Sequence, residues 1–138
     1  MARSPVPAAE GWPGPELAGF LPKYGRMLAE DPTVAPWGVW LMLHEGKIVG
    51  DIGFTGHPDE AGRVEIGYSI LPEYRGQGLT QEAVRAMVAF AFTHARITAV
   101  RADVEEENEP SHSVLAKAGF TRFGLTEGLV KWEIRRPA

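Results

Sequence analysis

Cysteine is absent from all 138 residues, which removes disulfides, a thiolate nucleophile and a cysteine-ligated zinc from consideration. Long apolar runs are absent too, and none approaches the roughly 20 residues that a membrane span needs. Met1 to Glu10 hold one arginine and no apolar stretch, so no secretory signal is expected there. Positive charge is in slight deficit. Fourteen Lys and Arg against eighteen Asp and Glu give a net charge of -4, with no global pull toward DNA, RNA or anionic membranes. No basic or aromatic stripe of the kind that binds nucleic acid is present. The four histidines (His44, His57, His94, His112) lack metal-ligand spacing, so no metal is expected and a structural role is the default for each. What remains is a chain of ordinary hydrophobic and charged content, long enough for one core. A single soluble domain follows, expected in the cytoplasm, with neither nucleic acid nor membrane as partner.

Proline divides the chain. Seven of the eleven prolines fall before Trp37, marking residues 1–36 as an arm and residues 37–138 as the core of the one domain. Within the arm, Leu17, Phe20, Leu21, Tyr24, Met27 and Leu28 recur at three- and four-residue steps, which predicts a short helix over Leu17–Ala29. Trp37–His44 and Ile48–Thr55 read as a hairpin about Glu45-Gly46-Lys47. Val64, Ile66, Tyr68 and Ile70 alternate with Glu65, Gly67 and Ser69, the period of a strand with two unlike faces. Leu79–Thr93 carries a wide helical stripe, Ala99–Val104 is a strand, and Ser111–Ala118 is a short helix closed by Gly119. Thr121–Leu125 and Leu129–Ile134 form a last hairpin through Gly128. The order β-β-β-α-β-α-β-β predicts an α+β fold with a mixed sheet.

Chemistry concentrates in Ile70-Leu71-Pro72-Glu73-Tyr74-Arg75-Gly76-Gln77-Gly78-Leu79-Thr80. A strand ends, glycines permit a tight turn, and a helix starts at once. The first helical turn has unpaired N–H groups and the positive end of the macrodipole, so the place suits a phosphate or pyrophosphate. A P-loop is excluded because no Gly-Lys-Ser/Thr follows the glycines. The dinucleotide fingerprint is excluded because Gln81 stands where a third small residue is needed. A strand-to-helix turn that holds nothing remains open on this stretch alone.

Two segments taken together resemble the GNAT N-acyltransferases. In the first, Arg75, Gly78 and Thr80 follow the family pattern Arg/Gln-x-x-Gly-x-Gly/Ala, with Thr80 departing from the usual small residue. Glu65-Ile66-Gly67-Tyr68 before it and Glu82-Ala83-Val84 after it also match. In the second, Asn108, Ser111, Val114-Leu115, Lys117 and Gly119-Phe120 follow Asn-x-x-Ser, then Val-Leu-x-Lys-x-Gly-Phe. The likeness covers about Trp37 to Glu133 and is nearest to the branch that acetylates ribosomal-protein N-termini. It implies a twisted, mostly antiparallel sheet of about six strands flanked by helices. It also implies acetyl-CoA as co-substrate, a primary amine of a small molecule or protein N-terminus as acceptor, and direct transfer in a ternary complex. By the same resemblance the coenzyme would meet Ile70, Leu71, Arg75, Gly76, Gln77, Gly78, Leu79, Thr80, Asn108, Ser111 and Lys117. A homodimer through the last strands is a further implication.

Amine acylation needs a base for the ammonium proton, a polarised carbonyl and a proton for the leaving thiolate. Glu65, on the strand that would line the acetyl end, is the candidate base. The N–H groups of Ile70 and Leu71 are candidates for the carbonyl. Many family members supply the thiolate proton from a tyrosine after the second segment, and here the last tyrosine is Tyr74. Ser111 or Ser113 is the candidate in its place. A GNAT-like module that holds acyl-CoA without catalysis, as a regulatory or partner-docking unit, is the alternative. Bland roles compete at several positions: Asn108 suits a helix cap, and Lys117 a solvated helix face.

Overall fold

The computed structural model describes residues 6–137. β1 (Val39–His44) and β2 (Lys47–Phe54) form an antiparallel hairpin turned at Glu45 and Gly46. β3 (Arg63–Ile70) pairs antiparallel with β2, burying Val64, Ile66 and Ile70 and leaving Glu65, Gly67 and Ser69 on the other face. α2 (Leu79–Phe92), β4 (Ala99–Glu105), α3 (Glu109–Lys117), β5 (Thr121–Thr126) and β6 (Leu129–Arg135) complete the core. The six strands lie in the order β1-β2-β3-β4-β6-β5, and only β3 and β4 run parallel. This is the mostly antiparallel α+β sheet that the element order predicts.

The arm contributes more than the proline pattern suggests. Pro7 and Ala9 exchange backbone hydrogen bonds of 2.9 Å with Ile48, laying the chain beside β2. α1 (Pro15–Glu30) is longer than the Leu17–Ala29 helix predicted, and Pro22 sits inside it. No residue of α1 is fully buried. A 3-10 turn over Pro32–Trp37 then drives Val34 and Trp37 into the core. Trp37 therefore does not open the first strand. Its ring packs on Phe54, Phe90 and His94 with centroids 5.5, 5.8 and 4.8 Å away, and burying an indole outweighs extending an edge strand. Among the described residues no helix is long and apolar enough to cross a membrane.

Two helices flank the opening that matters. α2 turns Val84, Met87, Val88 and Ala91 into the core. α3 starts at Asn108, whose Oδ1 accepts from the Ser111 N–H, with Pro110 in the first turn where its missing donor costs nothing. It ends in a Schellman arrangement: Gly119 N–H donates to Ala116 O and Phe120 N–H to Leu115 O, with Gly119 at φ 97°. Leu115 and Phe120 anchor that end in the core.

The β3–β4 ladder is short. It joins Arg63 to Ala99, Val64 to Val100 and Glu65 to Arg101, then stops, although β3 continues to Ile70 and β4 to Glu105. Leu71 N–H donates to Val49 O, which makes Ile70 and Gly50 a non-hydrogen-bonded pair. The same parity turns the main-chain N–H and C=O of Tyr68 and Ile70 away from β2, into the gap.

On the far side of β4, buried Glu133 accepts from Arg101 Nε at 2.7 Å and Arg135 Nε at 2.6 Å. Burial works to raise its carboxyl, but the hydrogen bonds and charges of the two arginines prevail and hold it below the ordinary range. A depressed carboxylate adds stability that is present above its unfolded pKa and is lost as pH falls through its folded one. Glu133→Gln is expected to cost about 1–3 kcal/mol at pH 7. The gap from wild type should close as pH drops below the normal glutamate range, measured by urea unfolding across a pH series.

Candidate active site

The gap between β3 and β4 opens into a cleft of about 620 Å³ walled by the start of α2 and by α3. Its floor is Tyr68, Ser69 and Ile70. One wall is Tyr74, Arg75, Gly76 and Gly78 through Gln81, and the other is Asn108, Pro110, Ser111, Ser113, Val114 and Lys117. The two segments that carry the family resemblance thus meet across one space, although about 30 residues of helix and strand separate them along the chain.

Local conformation explains why the turn is glycine-rich. Gly76 and Gly78 have φ of 77° and 79°, a region costly for residues with a Cβ, and Gly78 is the residue before α2. A Cβ added at either would meet nothing within 4 Å, so open space lies beside both. Among the described residues, no hydrogen-bond acceptor engages the N–H groups of Gly76 through Thr80. A run of free N–H groups at a helix start, with Arg75 and Lys117 bordering it, is a cradle for an anionic, phosphate-like group.

Most of the site residues expected from sequence lie in this cleft. Ile70, Arg75, Gly76, Gly78, Leu79, Thr80, Asn108, Ser111 and Lys117 line it, as does Ser113. Asn108 caps α3 and also lines the cleft, so the cap does not take it out of that space. Leu71 and Gln77 do not line it. The Leu71 side chain packs against the core and its N–H is spent on Val49 O, so of the two candidate carbonyl-polarising groups only Ile70 N–H faces the gap. The Gln77 side chain turns back toward Glu73 O at 3.5 Å.

Glu65 lies elsewhere. It lines a separate polar cavity of about 560 Å³ with Arg63, Arg101, Asp103 and Lys131. Burial raises its carboxyl, the charge of Asp103 adds to this, and Lys131 opposes it. A third cavity, of about 750 Å³, lies between α1 and the β2–β3 face, and it meets the cleft at Tyr68 and Ser69 and the polar cavity at Thr55. His112 is structural: Trp132 Nε1–H donates to its Nδ1 at 3.1 Å, and its Nε2 reaches Glu105 O and Glu106 O. It pins α3 to β6. Among the described residues no group of three or more His, Asp or Glu is placed to hold a metal.

Sequence reasoning passed over Tyr68. Strand alternation assigns it to the core, yet its hydroxyl is the one fully buried side-chain polar atom without a partner among the described residues. Burial raises its pKa, and the neighbouring Ser111 hydroxyl counters this in part without aligning for a full bond. Only the register of β3 beyond the end of its ladder reveals that this tyrosine faces a cleft.

Residues 9–121 match the acetyltransferase (GNAT) domain family. The chain belongs to that family. A 111-residue stretch is 28% identical to the uncharacterized N-acetyltransferase YjdG of Bacillus subtilis, covering 79% of this chain and 66% of that protein. The putative ribosomal N-acetyltransferase YdaF of the same organism is 29% identical over 83 residues, 60% of this chain and 45% of YdaF. Mycobacterium smegmatis RimJ, solved in complex with CoA-disulfide, superposes with a TM-score of 0.72 at 23% identity over 83% of this chain and 60% of that one. That likeness shows the shared fold. The family match begins inside the proline-rich arm, in keeping with Ala9 being buried in the core.

An unpartnered buried hydroxyl costs about 1–3 kcal/mol. Without ligand, Tyr68→Phe is therefore expected to leave stability unchanged or raise it by about 1 kcal/mol in urea unfolding. A loss of that size would mean the hydroxyl is bonded.

Proposed function

We propose that the protein is a cytoplasmic, acetyl-CoA-dependent N-acetyltransferase that moves the acetyl group directly to a primary amine in a ternary complex. One observation carries the reading: the glycine turn with its free N–H groups at Gly76, Gly78, Leu79 and Thr80, the gap-facing main chain of Tyr68 and Ile70, and the α3 start all line one cleft. Acetyl-CoA supplies the activated acyl thioester. In this reading the Gly76–Thr80 turn, with Arg75 and Lys117, binds the pyrophosphate, and Asn108 and Ser111 border the arm that follows. The open main chain of Tyr68 and Ile70 receives that arm as a missing strand would be received, and Ile70 N–H polarises the thioester carbonyl.

The acceptor enters from the α1 cavity, which reaches the cleft at Tyr68 and Ser69. The ammonium first loses a proton to a base, the freed nitrogen bonds to the acetyl carbon, the carbon–sulfur bond breaks, and the nitrogen's second proton restores the hydroxyl that protonates the thiolate. Glu65 stands four residues before Ser69 on the same face, about 13 Å along the strand, and would act through water. The thiolate takes its proton from the Ser111 hydroxyl or Ser113, with the Tyr68 hydroxyl beside Ser111 as a second source. The motifs and the YdaF likeness support kinship with the ribosomal N-terminal branch without fixing this chain's acceptor. So does a homodimer, for which the exposed edge strand β5 offers Phe123 and Leu125.

Calorimetric titration of acetyl-CoA into wild type and Gly78→Asp tests the cofactor reading. Aspartate tolerates the left-handed backbone better than most residues, but places a carboxylate in the anion cradle. Wild type should bind, and the folded variant should bind at least about tenfold more weakly. Folded wild type that ignores millimolar acetyl-CoA would overturn the proposal. Binding without transfer to any amine would favour the non-catalytic module.

A further inference from the structure

The α1 cavity has an unequal distribution of chemistry. The charged residues lining it are Glu16 and Asp51, with no Lys, Arg or His among them. Its outer wall is apolar and aromatic: Leu17, Phe20, Tyr24 and Met27 from α1, with Phe20 and Tyr24 stacked at 5.8 Å between centroids. Tyr24 holds this wall in place, because its hydroxyl accepts from Val39 N–H at 3.1 Å. The inner wall is the outward face of β2 and β3. There Asp51 stands directly opposite Ser69, and Gly53 directly opposite Gly67.

That register makes a polar end at Asp51 and Ser69 and an open floor at Gly67, while Gly53 opposite is already covered by the Gly38 main chain. Ser69 also lines the cofactor cleft, so the Asp51–Ser69 pair sits at the passage between the two spaces. The Asp51 carboxylate is half-buried and accepts one hydrogen bond, from Trp12 Nε1 at 3.1 Å, with no cation beside it in any described ion pair. One carboxylate oxygen is left for another donor. Beside it Gly67 offers no side chain, and a Cβ built there meets nothing within 4 Å. An apolar body lying on Gly67 would have the Phe20–Tyr24 stack as the facing wall of the same cavity. Negative groups on the ligand would face only carboxylates.

Resting on the acetyl-transfer reading, we propose that the acceptor is an arylalkylamine-like molecule: one primary ammonium, held by Asp51 and Ser69, on an apolar aromatic body lying against Phe20 and Tyr24, with no carboxylate or phosphate of its own. Asp51 binds the ammonium at the mouth of the cleft, a role no sequence motif marks. Multiply charged polyamines are disfavoured because, Glu16 at the start of α1 apart, the wall facing Asp51 is apolar and aromatic. Amino acids are disfavoured because their carboxylate would sit against Asp51.

Phenethylamine is the probe. Titrated into ligand-free protein and followed by tryptophan fluorescence, with Trp12 and Trp37 at the cavity, it should bind at least about tenfold more tightly than 2-phenylethanol, phenylalanine or spermidine. Asp51→Asn keeps an acceptor for Trp12, so it should stay folded yet lose that preference over the alcohol. Phe20→Ala should weaken phenethylamine and the alcohol alike. With acetyl-CoA present, thiol release should be fastest with phenethylamine, and Asp51→Asn should raise KM more than it lowers kcat. If protein that binds acetyl-CoA prefers spermidine or phenylalanine, or if Asp51→Asn binds phenethylamine as wild type does, the acceptor assignment is wrong while the cofactor reading stands. Failure to bind acetyl-CoA removes both.

Discussion

Three residue pairs hold β3 to β4, and the site depends on where that ladder stops. Were it to continue past Glu65 and Arg101, the main-chain groups of Tyr68 and Ile70 would be satisfied within the sheet and no cleft would form. The pairing of β3 with β2 runs unbroken from Ile66 to Ile70, so β3 is held straight on one side while left open on the other. β4 is carried away by seven pairs with β6, from Ala99 to Glu105. The parting is therefore built from two strong antiparallel ladders that share one short parallel seam.

Both helices at the opening are fixed by means that leave their exposed ends free. α3 is held through Leu115, the Gly119–Phe120 cap and the His112–Trp132 hydrogen bond, all on its core side. Its first turn, with Asn108, Ser111 and Ser113, is then available to the cleft. α2 buries Val84, Met87, Val88 and Ala91 and leaves its first N–H groups without partners. Arg85 Nη2 donates to Lys117 O at 2.8 Å, which links the two helices across the back of the cleft. Buried polar groups without partners are few in folded proteins, and the one found among the described side chains, the Tyr68 hydroxyl, lies at the meeting of two cavities.

The elements of the core could be read from hydrophobic alternation and helical spacing to within a residue or two at most boundaries. Most of the cleft-lining residues were readable because each of the two segments is local in sequence: positive-φ glycines running into a helix start, and a capped second helix. What resisted reading depends on register between distant strands. Glu65 falls in a cavity with Arg101 and Lys131 because β4 and β6 bring them there. Leu71 loses its N–H to Val49, a partner 22 residues away. Asp51 and Tyr68 gain their positions from pairing and from the end of a ladder, neither of which leaves a mark in a single strand. Trp37 was misplaced because burial of its ring overrode strand pattern.

Hydrogen exchange with and without acetyl-CoA tests most directly whether the β3–β4 gap is the coenzyme site. The amides of Tyr68, Ile70 and Gly76 through Thr80 have no partner in the ligand-free fold by register or by contact, so they should exchange fast alone and slow sharply on binding. The start of α3 should gain protection with them, while β5 and the Glu65 cavity should not change. Protection centred on the Glu65 cavity, or none at the Gly76–Thr80 turn in protein that binds acetyl-CoA, would contradict the account.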